Sequence, residues 1–196
     1  PEGEQEIFSL DEMIKIWDPA RISKSPAIFD PLKLRAINAA YIRALPAEEF
    51  RKLADPFIDQ AVHVQIDRDL LCANLQPRCE VLEDIPPQLD FFDAVLPIDA
   101  EMYRNKKQKT TPESAKEALS ALLPVLEAQT DWSRDAIFEA CKQKAEAMEK
   151  KNGWLLFPLG IALSGKARTP GGGTDLAAMM GKEETLRRLN AAIEAL

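Results

Sequence analysis

The side chains of this 196-residue chain that could do chemistry are mostly cations in short runs. Arg104, Lys106, Lys107 and Lys109 form one run; Lys142 with Lys144, Lys150 with Lys151, Lys166 with Arg168, and Arg187 with Arg188 form the others. Such groups either hold phosphates or solvate helix faces, and for a single cluster the second outcome is the ordinary one. Proton transfer is poorly supplied. His63 is the only histidine, which leaves a His-based triad or a zinc site almost no raw material. Between Val62 and Val64 it reads as a structural residue in a locally apolar or amphipathic setting. Cys72, Cys79 and Cys141 form no CxxC pair, and an odd number cannot all pair within one chain; they read as small apolar residues of a reducing compartment. No carboxylate pair stands out by spacing or apolar surroundings as tuned for acid–base work. A GxGxxG or GxxxxGK[ST] phosphate cradle is absent from the sequence, and Gly171-Gly172-Gly173 lacks the preceding strand that one requires. The residues thus assign no catalytic group and no metal ligand.

The elements that carry these side chains read as helices. Ser9-Leu10-Asp11-Glu12 is a capping-box pattern that opens a short helix through Ile16. Asp30-Pro31 repeats the start signal, and Leu34, Ile37, Ala40, Tyr41 and Ala44 then form one apolar stripe. Ala47 to Ala54 predicts another helix, interrupted near Asp55-Pro56, and Ile66 to Leu75 a further one. Pro77, Pro86, Pro87 and Pro97 restrict the stretch they punctuate to short helices and turns. The polar stretch from Arg104 to Thr111 reads as a surface connection. Beyond it, Thr111-Pro112 starts a helix with Ala115, Leu119, Leu122 and Leu126 inward. Asp131-Trp132-Ser133 opens one that carries Ile137, Phe138, Cys141, Ala145 and Met148. Trp154 to Leu163 is a buried helix, Thr169 to Gly173 a loop, and Lys182 to Leu196 a last helix with Leu186, Leu189 and Ile193 on one face. Strand alternation, βαβ rhythm and internal repeats are all missing. The fold class is all-α, as two consecutive helical bundles joined near Pro97 to Thr111.

The net charge of -7 argues against a nucleic-acid binder only if charge is read as a global sum. A phosphate backbone meets one face, so composition leaves the partner undecided. No run approaches the ~18 apolar residues that cross a bilayer. The acidic start Pro1-Glu2-Gly3-Glu4 has no signal-peptide character. A soluble, cytoplasmic protein with no membrane partner is the expectation. The missing initiator Met favours a fragment of a longer protein, with a stand-alone product still open.

Four segments, taken in order, carry a family resemblance. The first is Ile7-Phe8-Ser9-Leu10-Asp11-Glu12-Met13-Ile14, followed by Arg21 to Asp30 (RISKSPAIFD) and by Leu34 to Arg43. The second is Pro77-Arg78 with Leu82, a P-R-x-x-x-L element, and the third is Trp132 at a helix start. The last comprises Pro158-Leu159, Ala162 to Gly165, Thr169-Pro170-Gly171 and Gly181 to Leu189 (GKEETLRRL). Together they resemble the C-terminal, anticodon-binding region of bacterial-type glutamyl-tRNA synthetases. Any one is weak, but four in order along the whole chain are specific. Arg21-Ile22-Ser23-Lys24-Ser25 mimics the KMSKS signature of class I synthetases. In this family that segment lies downstream of the true ATP-site lysine motif, and no nucleotide-binding α/β domain accompanies it here.

The resemblance implies a tail of the stem-contact region over residues 1–30 and helical anticodon-binding subdomains over 31–100 and 101–196. It implies tRNA anticodon recognition as part of a glutamate–tRNA ligase whose missing N-terminal domain performs the charging. ATP and Mg belong to that parent enzyme; this chain needs no cofactor and is inactive alone. The partners implied are the glutamate isoacceptor tRNA and the catalytic domain, with no DNA. Read from residues alone, Arg78 is a helix-terminal arginine in a surface ion pair; the resemblance makes it the reader of the third anticodon base. Thr169, Pro170 and Gly171 match the element that approaches the other two bases. Lys166, Arg168, Arg187 and Arg188 are candidate phosphate contacts. Trp132, Trp154, Phe157 and Tyr41 read as core before stacking platforms. The chain departs from the family at Gly160, where P-L-R-x-A-L is common and an arginine donor is lost. A free-standing tRNA- or protein-binding relative, and a helical scaffold that has lost RNA binding, are the competing readings.

Overall fold

Ser9 opens the first helix with a reciprocal cap: its hydroxyl accepts the Glu12 N–H at 3.3 Å, while the Glu12 carboxylate accepts the Ser9 N–H at 2.7 Å. That helix, α1, is Leu10–Ile16. The computed structural model describes residues 7–21, 29–94 and 96–196. Most of the RISKS segment, residues 22–25, lies outside them. Asp30 caps α2, Pro31–Ala44, by accepting the N–H groups of Leu32 at 2.9 Å and Lys33 at 3.1 Å. Helix α3 runs Ala47–Ile58. It continues through Pro56, contrary to the expected interruption there. Phe50, Ala54 and Ile58 form one wholly buried face, and burial of that face outweighs the single ladder bond that Pro56 cannot make.

Helix α4, Arg68–Leu75, begins two residues later than the apolar pattern predicts. The cause is Asp67, whose carboxylate accepts the Leu70 N–H at 2.9 Å and so fixes the start. Three short 3₁₀ turns come next, at Gln76–Arg78, Leu82–Asp84 and Pro86–Gln88, as the prolines require. A fourth, Ala100–Tyr103, leads into a tight turn closed by paired backbone bonds between Asn105 and Thr110, both 3.1 Å. The second half holds α5 (Pro112–Ala128), α6 (Arg134–Ala147), α7 (Asn152–Ser164), α8 (Gly173–Met180) and α9 (Lys182–Ala195). The described residues contain no strand; the fold is all-α.

Helix α8 has no counterpart in the sequence pattern, which puts its first residue in the TPGGG loop. A side chain at Gly173 has no room because α8 approaches α7 closely: a Cβ there would stand 2.8 Å from the Leu156 carbonyl oxygen and 2.9 Å from the Gly160 nitrogen. At the other end of α7, Gly165 takes φ +66°, and its N–H closes on the Ile161 carbonyl at 2.8 Å. These two glycines set the path of the chain between α7 and α8.

One continuous core joins the halves, from Ile42 and Phe50 through Leu89 and Phe91 to Leu159 and Leu189. Helix α4 packs on α8, and the Asp67 N–H donates to the Met179 carbonyl at 3.0 Å. His63 departs from its expected setting. Its side chain is exposed, its ring pairs with Asp93, and Asp93 also accepts the backbone N–H groups of His63 at 2.7 Å and Val64 at 3.2 Å. The contact is still structural, because it ties the loop after α3 to the segment between the halves.

Candidate nucleic-acid interface

The turn Gln76–Arg78 ends α4, and its last residue projects toward the loop between α7 and α8. One Arg78 nitrogen, Nη1, donates to the Pro170 carbonyl at 3.1 Å and more weakly to that of Thr169 at 3.4 Å. Arg78 is exposed, and among the described residues nothing takes its Nε or Nη2 protons. The guanidinium is thus anchored along one side and open along the other. An open side of two near-parallel donors suits a pair of neighbouring acceptors.

The loop is itself held. The Thr169 hydroxyl donates to the Gly171 carbonyl at 2.5 Å, which occupies its proton within the loop. The Gly172 N–H donates to the Asp175 carboxylate at 2.7 Å, and Arg134 pins that carboxylate from the other side at 3.1 Å. Pro170 and Gly171 are buried, with Gly172 exposed between the loop and α8. A groove of about 650 Å³ opens where these parts meet. Arg78, Lys166, Arg168 and Thr169 are among its polar lining, and Phe157 and Gly160 line it from α7.

The four candidate phosphate contacts separate. Arg168 lines the groove and is exposed, with no described carboxylate beside it. Lys166 lines the groove but is tethered, donating to the Pro87 carbonyl at 2.8 Å and pairing with Asp90. Arg187 is exposed on α9, bonded to Glu184 at 2.6 and 2.7 Å. Arg188 is no phosphate contact. It is only 1% exposed and donates to the carbonyls of Phe91, Leu163 and Phe92 at 2.7, 2.6 and 2.7 Å, and to Glu184 at 2.6 Å. The guanidinium ties α9 to the segment that links the halves. Its amphipathic helix spacing looks like a surface pair because two adjacent arginines face different directions on a helix, one out and one in.

A family model for the anticodon binding domain matches residues 38–193. The chain belongs to the anticodon-binding domain family. Arg78, the loop and the groove all fall inside the matched stretch. Among curated proteins, the glutamate–tRNA ligase of Clostridium botulinum (strain Hall) is 42% identical over 196 residues, covering 100% of this chain and 40% of its own length. That of Clostridium acetobutylicum is 42% identical over 197 residues, covering 100% of this chain and 41% of its own length. Among solved structures, a glutamate tRNA ligase from Elizabethkingia meningosepticum superposes with a TM-score of 0.83 at 28% identity. It covers 98% of this chain and 38% of that one. The chain spans about two fifths of the length of these curated relatives.

Within this anticodon-binding fold, two groove residues need comment: Phe157, which reads in the sequence as core before stacking platform, and Gln88, which carries no mark there. Phe157 is half-buried: it packs against the core, as its helical spacing predicts, and also lines the groove. Gln88 lines it from the Pro86–Gln88 turn, its amide donating to the Asp84 carbonyl at 2.6 Å. Periodicity cannot separate a groove-facing aromatic from a core-facing one, because both lie on the apolar face of the same helix. Trp154 and Trp132 do belong to the interior: Trp154 is 6% exposed, and the Trp132 indole donates to the Ala177 carbonyl at 2.9 Å. Tyr41 is exposed, and its hydroxyl donates to the Phe8 carbonyl at 2.7 Å.

No group of three or more His, Cys, Asp or Glu side chains placed to hold a metal ion occurs among the described residues. The cysteines are buried, and burial pushes the thiols of Cys72 and Cys79 up to about 11 and that of Cys141 to about 12. No helix among the described residues is long and apolar enough to cross a membrane.

Proposed function

We propose that this chain reads the anticodon of glutamate tRNA as the C-terminal part of a glutamate–tRNA ligase. The observation that carries the reading is the half-anchored Arg78 guanidinium, which lines the groove, is held at Nη1 by the Pro170 and Thr169 carbonyls, and keeps Nε and Nη2 without a partner among the described residues. Glutamate and glutamine anticodons differ at the third base, cytosine against guanine. The Watson–Crick edge of cytosine offers two adjacent acceptors, which two parallel donors match. Guanine presents N–H groups there and meets arginine donor to donor. An arginine clamped by carbonyls cannot swing to find another partner, so the mismatch is not relieved by rotation. One well-made contact of this kind discriminates by roughly 1–3 kcal/mol.

Thr169 and Pro170 act by holding Arg78 through their carbonyls, Gly171 acts by shape, and Arg168 supplies positive charge to the phosphate backbone. Charging itself, with ATP and Mg, belongs to a catalytic part of the ligase in the cytoplasm. That part is the protein partner of this chain. The exposed apolar side chains toward its amino-terminal end favour such a partner: Leu10, Ile14, Trp17, Phe29 and Leu32 are 65–78% exposed.

The test is binding of the chain at low salt to glutamate tRNA and to a copy whose third anticodon base is changed from C to G. The expected result is a clear preference for C that Arg78→Gln removes. Equal affinity of the unaltered chain for both copies would sink the reading.

A further inference from the structure

Arg78 stands in the middle of a short stretch that is strapped to α2 at both ends. On its amino-terminal side, the Gln76 amide Nε2 donates to two carbonyls at the carboxyl end of α2, Ile42 at 3.0 Å and Leu45 at 2.8 Å. On the other side, the Asn38 amide Nδ2 donates to the Glu80 carbonyl at 2.6 Å, and Arg35 donates to the Glu80 carboxylate at 2.8 Å. Between the straps lie Pro77, whose ring fixes φ, then Arg78, then the buried Cys79. The backbone of residues 76–80 therefore follows α2 with little freedom of its own.

Finishing the end of α2 does not account for both straps. A helix leaves its last carbonyls without donors, and Gln76 meets one of them at Ile42, so it acts in part as a cap. Asn38 has no such duty: it is exposed within α2, and it holds a carbonyl outside any helix. What the two amides share is the backbone of residues 76–80, and the side chain that leaves that backbone to line the groove is Arg78. The tip of Arg78 is held less firmly than its base, by one good bond to the loop at 3.1 Å and one long bond at 3.4 Å. Where its unpartnered donors lie thus depends on where α2 holds the backbone.

We propose that Gln76 and Asn38 are positioning residues for discrimination at the third anticodon base, fixing the backbone from which Arg78 reaches it. Neither side chain lines the groove, so both act through Arg78. The inference rests on reading Arg78 as the contact to that base. A bidentate contact needs both donors in register with both acceptors, and a displaced guanidinium loses that register first. Attraction to phosphates depends on charge over a longer range and survives the same displacement. Loss of either strap therefore removes discrimination while leaving the general affinity for tRNA in place.

The experiment measures binding of the 196-residue chain, Gln76→Met and Asn38→Ala to glutamate tRNA and to its copy with G at the third anticodon base. Melting temperatures are recorded alongside, and binding is read well below each of them. Gln76→Met keeps the side-chain length without the amide and should melt lower, through the lost cap. Asn38→Ala removes an exposed amide and should melt close to the parent chain, so it decides the matter if Gln76→Met does not fold. Both variants are expected to bind the C tRNA about fivefold more weakly, on the scale of one hydrogen bond, and the G copy as the unaltered chain does. An unchanged preference for C in either folded variant overturns the proposal. Equal weakening toward both tRNAs also overturns it, since that is what a merely structural role would give. If the unaltered chain fails to prefer C over G, the anticodon reading fails and this inference with it. A preference in the unaltered chain that the folded variants keep removes this inference alone.

Discussion

Arg78 Nη1 donates to the Pro170 carbonyl at 3.1 Å across 92 positions of sequence, joining the end of α4 to the loop before α8. The bond does two things at once: it ties together two parts of the chain that line the groove, and it anchors the Nη1 side of the guanidinium. Neither partner is rigid alone, since Arg78 ends an exposed 3₁₀ turn and the loop contains three glycines. Their rigidity comes from each other and from the Arg134–Asp175 pair behind the loop.

Arg78→Lys separates charge from geometry. A lysine keeps the positive charge but offers a single rotatable ammonium, which cannot hold a carbonyl on one side and two base acceptors on the other. Affinity for tRNA should fall only a few-fold, while preference for C over G at the third base falls by roughly tenfold or more, as expected for loss of a bidentate contact. Competition binding with the two tRNAs reads both quantities. Retained preference would mean that charge alone discriminates and that the clamped fork is irrelevant.

Arg188→Met tests the buried guanidinium as a structural tie. Removing it leaves the Phe91, Phe92 and Leu163 carbonyls without this donor and Glu184 with Arg187 alone. Breaking a buried charged network on one side typically costs about 3–5 kcal/mol, so a marked drop in melting temperature is expected. Below that temperature, tRNA affinity should stay close to that of the parent chain. Weak binding by a variant that is still fully folded would contradict the burial of Arg188 and return it to the RNA surface.

The fold is largely legible in the sequence because most helices here announce themselves locally. Ser9, Asp30, Thr111 and Ser133 each cap a helix where the residue type predicts one. The Leu119, Leu122 and Leu126 stripe of α5 is wholly buried as its spacing requires. The differences arise where a tertiary contact overrides a local signal. Pro56 sits inside α3 because the opposite face is core, and the residue that opens α8, Gly173, has no room for a side chain because α7 lies too close for a Cβ. At the site, the resemblance picks out Arg78 and the TPG loop, which the structure brings into contact. Arg188 is illegible because a charged residue in a charged helix carries no mark of burial; its partners are carbonyls more than ninety positions away, at Phe91 and Phe92.

The Glu184 carboxyl makes acid stability a measurable consequence of the Arg187–Arg188 arrangement. It is held down at about 2 from 4.5, first by hydrogen bonds from Arg187 and then by Arg188, with partial burial opposing. A folded-state value below the unfolded one contributes stability in full above the unfolded value and loses it as pH falls through the folded one. The contribution should therefore be complete above pH 4.5 and disappear on the way to about pH 2. Glu184→Gln should melt below the parent chain at neutral pH, with the gap narrowing as pH falls below 4.5. A gap that stays constant through that window would show that the carboxylate charge is not what the two arginines hold.

Arg168 and Arg187 are both exposed arginines, but only Arg168 stands at the groove without a carboxylate partner among the described residues. A cation that neutralises a phosphate releases a counterion, so its removal lowers the salt dependence of binding by about one unit in the logarithmic slope. Arg168→Ala should reduce that slope by roughly one and weaken all tRNAs alike, since a phosphate contact carries no base identity. Arg187→Ala should leave the slope nearly unchanged, because Glu184 already neutralises that guanidinium and tRNA would have to displace it. The two slopes, taken from binding curves at several salt concentrations, distinguish a groove that binds RNA from general attraction to exposed arginines: equal reductions for both variants would count against the groove.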